Sequence, residues 1–237
     1  MILYVNGDSH AAAAECVNSH AWACDDGLYW GLGQQPHPDN ERVSFGCELA
    51  NWMNAILYLD AQAGGSNARI MRTTRDWIQT QTAEILKDTF MVLQWSTWER
   101  QEWLINGQYH QVNASGIDHV PPEYQQRYQE FVTNIDWAQC QSQAHNDIYQ
   151  FHLYLQDQGI AHVMFNGNSH FEAQPKYYNW HSCYMDPYNP AQTFDGVLRN
   201  HGFQTVNPHS WHFGPDAHCF WAEHVLQYIK THKLLNT

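Results

Sequence analysis

The sequence is poor in charge. Only 15% of its 237 residues are Asp, Glu, Lys or Arg, and the acidic side chains outnumber the basic ones 24 to 11. With histidines neutral the net charge is −13 and no run of Lys or Arg occurs, which argues against a phosphate-tracking surface and so against nucleic acid as a partner. No apolar stretch approaches the roughly 20 residues that span a bilayer, and no charged leader precedes an apolar run at the N-terminus. The expectation is a soluble, cytoplasmic chain with no membrane partner. Six cysteines (Cys16, Cys24, Cys47, Cys140, Cys183, Cys219) form no C-x-x-C pair and read as reduced, mostly buried thiols. The Walker lysine, the G-x-G-x-x-G fingerprint and the G-x-S-x-G elbow are all absent, which leaves nucleotide loops and the α/β-hydrolase nucleophile turn without support.

What is plentiful is apolar and aromatic material. Hydrophobic residues make up 43% of the chain, with 16 His, 11 Trp and 13 Tyr, enough for one compact domain over residues 1–237. Ile2 to Val5 is a short β-branched run that stops at Asn6-Gly7-Asp8, and an alanine-rich segment from His10 to about Val17 reads as a helix. A helical stretch from Cys47 to Leu57 passes into a second strand at Tyr58 to Ala61, then Gly64-Gly65-Ser66-Asn67, then a helix from Ile70 to Ala83. Phe90 to Leu93 and Ala161 to Phe165 are further buried strands, each ending in small polar residues. Between them an insert or lid at about 98–140 is expected, with Asn106 to Pro122 as an extended loop and helical spacing over Glu123–Asp136 and Gln141–Gln156. Pro215 to His232 reads as a terminal amphipathic helix with Pro at its first turn. Strand alternating with helix predicts a three-layer α/β/α fold on a parallel sheet, with ligands beyond the carboxyl ends of the strands.

Two residues there suggest chemistry. Ser9 follows the first strand at the start of a helix, where backbone N–H groups and the positive helix end stabilise an oxyanion, although a serine at such a junction also serves as a simple helix cap. His212 lies in the loop just ahead of the last helix and is a candidate general base, against the plain reading of a solvated or core histidine. His209-x-x-His212 with Asp216 and His218 has ligand atoms for zinc, but no H-E-x-x-H or cysteine pair supports it, so no metal or other cofactor is expected. Arg69, Arg72 and Arg75 fall on one helical face, which reads as solvated or ion-paired rather than as an anion clamp. Trp95, Trp98, Trp103, Tyr109, Trp180 and Trp211 fall near strand ends or in loops, as core or as the lining of an acceptor site.

Gly7-Asp8-Ser9, the glycine turn at Gly64-Gly65-Ser66-Asn67, the segment Gln94-Trp95-Ser96-Thr97-Trp98-Glu99-Arg100 and the late His212 to His218 stretch resemble, in order, the blocks of the SGNH (GDSL-type) hydrolases. The detailed pattern is most similar to divergent versions carried by tailed bacteriophages. The resemblance implies a flavodoxin-like fold, Ser9 as nucleophile, His212 as base, Gly65 N–H as second oxyanion donor and a small acyl ester or acetylated carbohydrate as substrate. Asp8 is grouped with Ser9 and His212 in the catalytic set, and Asn67, Trp95 and His209 are placed against substrate. Two positions depart from the pattern. No asparagine follows the third strand, so a hydroxyl of Ser96 or Thr97 is the substitute, and His209 stands where the family has Asp, leaving a dyad or an acid from Asp186 or Asp216. The alternative is a catalytically inactive binding or virion-associated protein on the same fold. Oligomerisation is left open.

Overall fold

A computed structural model of the chain describes residues 1–17, 36–114 and 121–235; Cys24 and the 115–120 part of the expected loop lie outside these. Four parallel strands, β1 (Ile2–Asn6), β2 (Ile56–Leu59), β3 (Thr89–Trp95) and β6 (Ala161–Asn166), stand in the order β2-β1-β3-β6. A single parallel bridge from Met164 to Tyr184 adds a rudimentary fifth position beyond β6. This is the doubly wound order, and its switch point lies between β1 and β3.

The strands are apolar on both faces because each face is covered. Leu3, Val5, Phe90, Val92, Val163 and Phe165 pack against α2 (Phe45–Met53), α7 (Phe194–Asn200) and α8 (Pro215–His232). The alternate residues Tyr4, Met91, Leu93, Trp95 and Met164 pack against α3 (Asn67–Thr80) and α6 (Trp137–Asp157). A period of two therefore sorts one strand's residues into two cores, as expected of a parallel sheet buried on both sides. Strand β2 is the exception, with Ile56 and Tyr58 exposed on the sheet edge. Short helices α1 (Pro38–Glu41) and α4 (Ala83–Lys87) link these elements, and no helix among the described residues is long and apolar enough to cross a membrane.

Four expectations need correction. The alanine-rich segment after Ser9 is a series of turns, with Ala13 (φ 51°) and Glu15 (φ 60°) in the left-handed region that ends helices. The helix over Cys47–Leu57 stops at Met53, because Asn54 turns left-handed (φ 49°) and Ala55 N–H closes back on Ala50, which frees Ile56 and Leu57 for β2. Asn106 to Pro122 is not simply a loop: Asn106 (φ 50°) and Gly107 (φ 80°) make the two-residue turn of a hairpin, β4 (Gln101–Ile105) and β5 (Gln108–Val112). That hairpin packs Trp103, Ile105 and Val112 on Tyr128 and Phe131 of α5 (Gln125–Thr133). Of the five described cysteines, all free thiols, only Cys16 is buried.

The two sides of the sheet meet the chain's histidines differently. In the first turn of α8, His218 is fully buried and its Nδ1 accepts the Phe45 N–H at 3.2 Å, which caps α2 with a neutral ring. Burial, with His10 and His212 as neighbours, pushes His218 from the ordinary 6.5 to about 3; burial likewise takes His10 to about 4, against the pull of Asp8. Below pH 6.5 the unfolded chain binds protons that these folded rings refuse, so stability falls as pH falls. Each such site contributes a slope of about 1.4 kcal/mol per pH unit. Urea unfolding should show a plateau above pH 7 and a decline from pH 6.5 to 4.5 that is shallower by about one such slope in His218→Gln; a decline identical in that variant would refute the buried neutral ring.

Candidate active site

The site is built at the switch point, where β1 and β3 end side by side. Gln94 of β3 is fully buried and its Oε1 accepts two backbone N–H groups, from Asp8 at 3.1 Å and Ala11 at 3.2 Å, while its Nε2 donates to the Trp95 carbonyl. Room for this carboxamide requires glycine on both sides: a Cβ at Gly7 would lie 2.7 Å from Gln94 Oε1, and one at Gly167 would lie 2.6 Å from Nε2. Gln94 thus caps N–H groups that the opening of the Ser9 turn leaves without a backbone acceptor, while Ala12 N–H bonds the Asp8 carbonyl.

The turn carries three groups of interest. Ser9 is almost buried, and neither its hydroxyl nor its N–H makes a hydrogen bond among the described residues. Asp8 accepts from the Ser96 hydroxyl at 2.7 Å, from Arg100 at 3.2 Å and from the His10 N–H at 3.0 Å. Its burial alone would raise the carboxyl, but Arg100, His10 and the Ser96 bond outweigh that and hold it below the ordinary range. Glu15, the left-handed residue at the far end of the turn, places Oε2 at 2.6 Å from His212 Nδ1 and also accepts the Ser210 hydroxyl at 2.5 Å. Ser210 Oγ in turn accepts the His212 N–H, and His212 carbonyl receives the Val206 N–H, so the loop before α8 is fixed from both sides. A carboxylate on Nδ1 selects the tautomer in which the neutral ring carries its lone pair on Nε2.

Ser9, Asp8 and His212 are therefore gathered at one end of the sheet, with the rings of His10 and His212 5.3 Å apart, but Asp8 serves Ser96 and Arg100 rather than the base. No Ser9–His212 hydrogen bond forms among the described residues. Gly65 N–H donates to the Gln62 carbonyl at 2.9 Å, so the donor expected for an oxyanion is already engaged in its own turn. Ser96 Oγ is held by Asp8, whereas Thr97 Oγ1 is buried with no partner among the described residues. Asn67 faces inward and pairs through its carboxamide with the Ser96 backbone. Trp95 is wholly buried against Phe151 and cannot meet a substrate, and His209 is exposed and turned to Asn207. Asp186 and Asp216 are both exposed; the carboxylate on His212 is that of Glu15. No motif marks Glu15, and the one hint of it in the sequence is the missing Asp at position 209.

Of the other aromatics, Trp103 and Trp180 are core, Trp211 and Tyr109 are exposed, and Trp98 stacks on Phe171 at 4.5 Å. Trp98 borders a cleft of about 420 Å³ together with Asn67, Arg100, Gln139, Gln143 and Asp147. Two of the three arginines are ion-paired as expected, Arg69 buried on Asp60 and Arg72 forked onto Glu102, while Arg75 lies over the Phe151 ring. Replacing Gln94 by Leu should leave two buried N–H groups unmade and lower stability by about 3 kcal/mol in urea unfolding. A loss under about 1 kcal/mol would mean that the turn does not depend on the carboxamide.

No curated protein matches the chain. Among solved structures, an acetyl xylan esterase (Est2A) from the rumen bacterium Butyrivibrio proteoclasticus aligns with a TM-score of 0.47 and 11% identity over 97% of this chain. The aligned part is 63% of that protein, so the chain spans less than two thirds of its length. The pattern of a family described as a family of unknown function, DUF6071, matches residues 36–161, more than half of the sequence. The chain belongs to that family.

Proposed function

We propose that the protein is a serine hydrolase of SGNH type that cleaves a small acyl ester, with Ser9 as nucleophile, His212 as base and Glu15 as the acid that orients it. The observation that carries this reading is the 2.6 Å contact between buried Glu15 and His212 Nδ1, beside a serine that is held on a tight turn at the end of β1. In the reaction Ser9 Oγ attacks the ester carbonyl and its proton passes to His212 Nε2, while Glu15 stabilises the imidazolium. The Ser9 N–H, unpaired at present, faces the developing oxyanion, and Thr97 Oγ1 is the hydroxyl left to join it. His212 returns the proton to the leaving alcohol, and water then releases the acyl group by the same steps in reverse. The Ser9–His212 contact closes on substrate, as catalytic hydrogen bonds that are long without ligand often do. The cleft beside Trp98, which joins amide and carboxyl side chains to the aromatic faces of Trp98 and Phe131, suits a carbohydrate carrying an O-acetyl group.

A fluorophosphonate probe should label Ser9 in the wild type and not in Ser9→Ala. Glu15→Gln should keep the fold but lower turnover of an acyl ester by up to about 10⁴-fold, the loss that follows when a triad base takes the wrong tautomer. The engaged Gly65 N–H and the absent third-block asparagine favour the second reading, a binding protein on a hydrolase fold. Folded wild-type protein that takes no label and turns over no ester would decide for it.

A further inference from the structure

At the opposite end of the sheet, three side chains converge that have no part in the site around Ser9. His152 lies near the end of α6, His162 is the second residue of β6, and Cys183 precedes the Tyr184 bridge to the β6 edge. One ligand atom from each lies within 4.8 Å of the others, and His152 Nδ1 is 2.9 Å from His162 Nε2. The Ile160 carbonyl accepts the Nδ1–H of His162 at 2.8 Å, which leaves the His162 Nε2 lone pair pointing at His152. With His152 donating into that lone pair, its own Nε2 is buried and has no partner among the described residues. A ring pair bound by one shared proton, with a nitrogen left over, is a poor resting arrangement for a buried site.

We propose that His152 Nδ1, His162 Nε2 and Cys183 Sγ bind a zinc ion. Two imidazoles and a thiolate are the donor set that zinc favours, and the Ile160 carbonyl provides the backing hydrogen bond that metal-bound histidines use. Burial keeps both rings neutral, the form that ligates, by lowering His152 to about 3 and His162 to about 4. The metal takes the place of the proton between the rings. The His152 proton moves from Nδ1 to Nε2, the thiol releases its proton to solvent, and the charge on the site rises by one. Tetrahedral zinc holds its nitrogens about 3.3 Å apart and a sulfur about 3.6 Å from each, so on binding the rings separate by a few tenths of an ångström and the Cys183 side chain closes in from the present spread of 4.8 Å. Water fills the fourth position from a cleft of about 310 Å³ that is lined by Gln156, His162, Cys183 and Leu234 and gives the ion its way in. The ion ties together α6, β6 and the segment that forms the fifth sheet position, with its fourth position left to water.

The test is titration of chelator-treated, metal-free protein with Co(II). The wild type should develop the visible bands of tetrahedral cobalt and a near-ultraviolet thiolate charge-transfer band, both bleached by one equivalent of Zn(II). Cys183→Ser should lose the charge-transfer band, and His162→Gln should weaken binding by more than about 10-fold, while Cys219→Ser keeps both signals. Zinc should raise the unfolding temperature of the wild type and of Cys219→Ser only. Absence of the bands in folded wild type, or their persistence in Cys183→Ser, overturns the proposal. Should Cys183→Ser fail to fold, His162→Gln decides: unchanged cobalt affinity there overturns it. Labelling of Ser9 is independent of every one of these outcomes.

Discussion

The arrangement around Ser9 depends on one buried carboxamide. A strand that runs straight into a helix would point the six residues after Ser9 along the helix axis, away from the loop that carries His212. Here the chain does otherwise: Gln94 caps the opening of the turn by accepting the Asp8 and Ala11 N–H groups, which a first helical turn leaves unbonded, and the backbone then reverses through two left-handed residues, Ala13 and Glu15. Non-glycine residues in that region cost about 1 kcal/mol or more each and persist only where surrounding contacts hold them. Here the holding contacts are the Gln94 bonds at one end of the turn and the Glu15–His212–Ser210 bonds at the other. The strain and the functional geometry are therefore one feature.

A second network fixes the neighbouring turn. Arg69, buried at the start of α3, reaches Asn6 at the end of β1, Gln62, and both the carbonyl and the carboxylate of Asp60. It thereby anchors the loop after β2 to the end of β1, and the same loop turns its Gly65 N–H onto Gln62. Arg100 connects the two networks, since it touches both the Asp8 carboxylate and the Gly65 carbonyl. The ends of β1, β2 and β3 are consequently tied to one another by charge-assisted bonds and not by packing alone, which suits a place where the backbone leaves the sheet.

Much of this fold is legible in the sequence because parallel strands buried on both faces leave unbroken apolar runs. Phe90 to Leu93 and Ala161 to Phe165 could be seen for that reason, and the last helix could be bounded by its proline. The misreadings have different causes. Propensity favours a helix in Ala11 to Ala14, but the chain turns left-handed at Ala13 and Glu15, and Glu15 is held there by His212 and Ser210 from the far end of the sequence, partners that no local pattern reports. The Asn106-Gly107 turn, by contrast, is a local signal whose left-handed pair defines the hairpin. Ser9 and His212 stand out through motif and order, whereas Glu15 carries no mark of its own.

That difference follows from what each group must do. A nucleophile needs a fixed backbone setting, with N–H groups around it, so its neighbours in the sequence are constrained and a motif results. A carboxylate that orients a histidine needs only to place one oxygen on Nδ1 with the right direction, and any segment that passes within reach will serve. His209 is exposed and its backbone N–H donates to Asn207, whereas the Ser9 turn, reversed by its left-handed residues, brings Glu15 onto the imidazole. In the proposed mechanism the acid comes from the nucleophile's turn and not from the base's own loop, so the turn holding Ser9 also holds the His212 ring. Disorder in that one turn would remove nucleophile and orientation together, and this is why a fully buried Gln94 between two obligatory glycines is well placed where it stands.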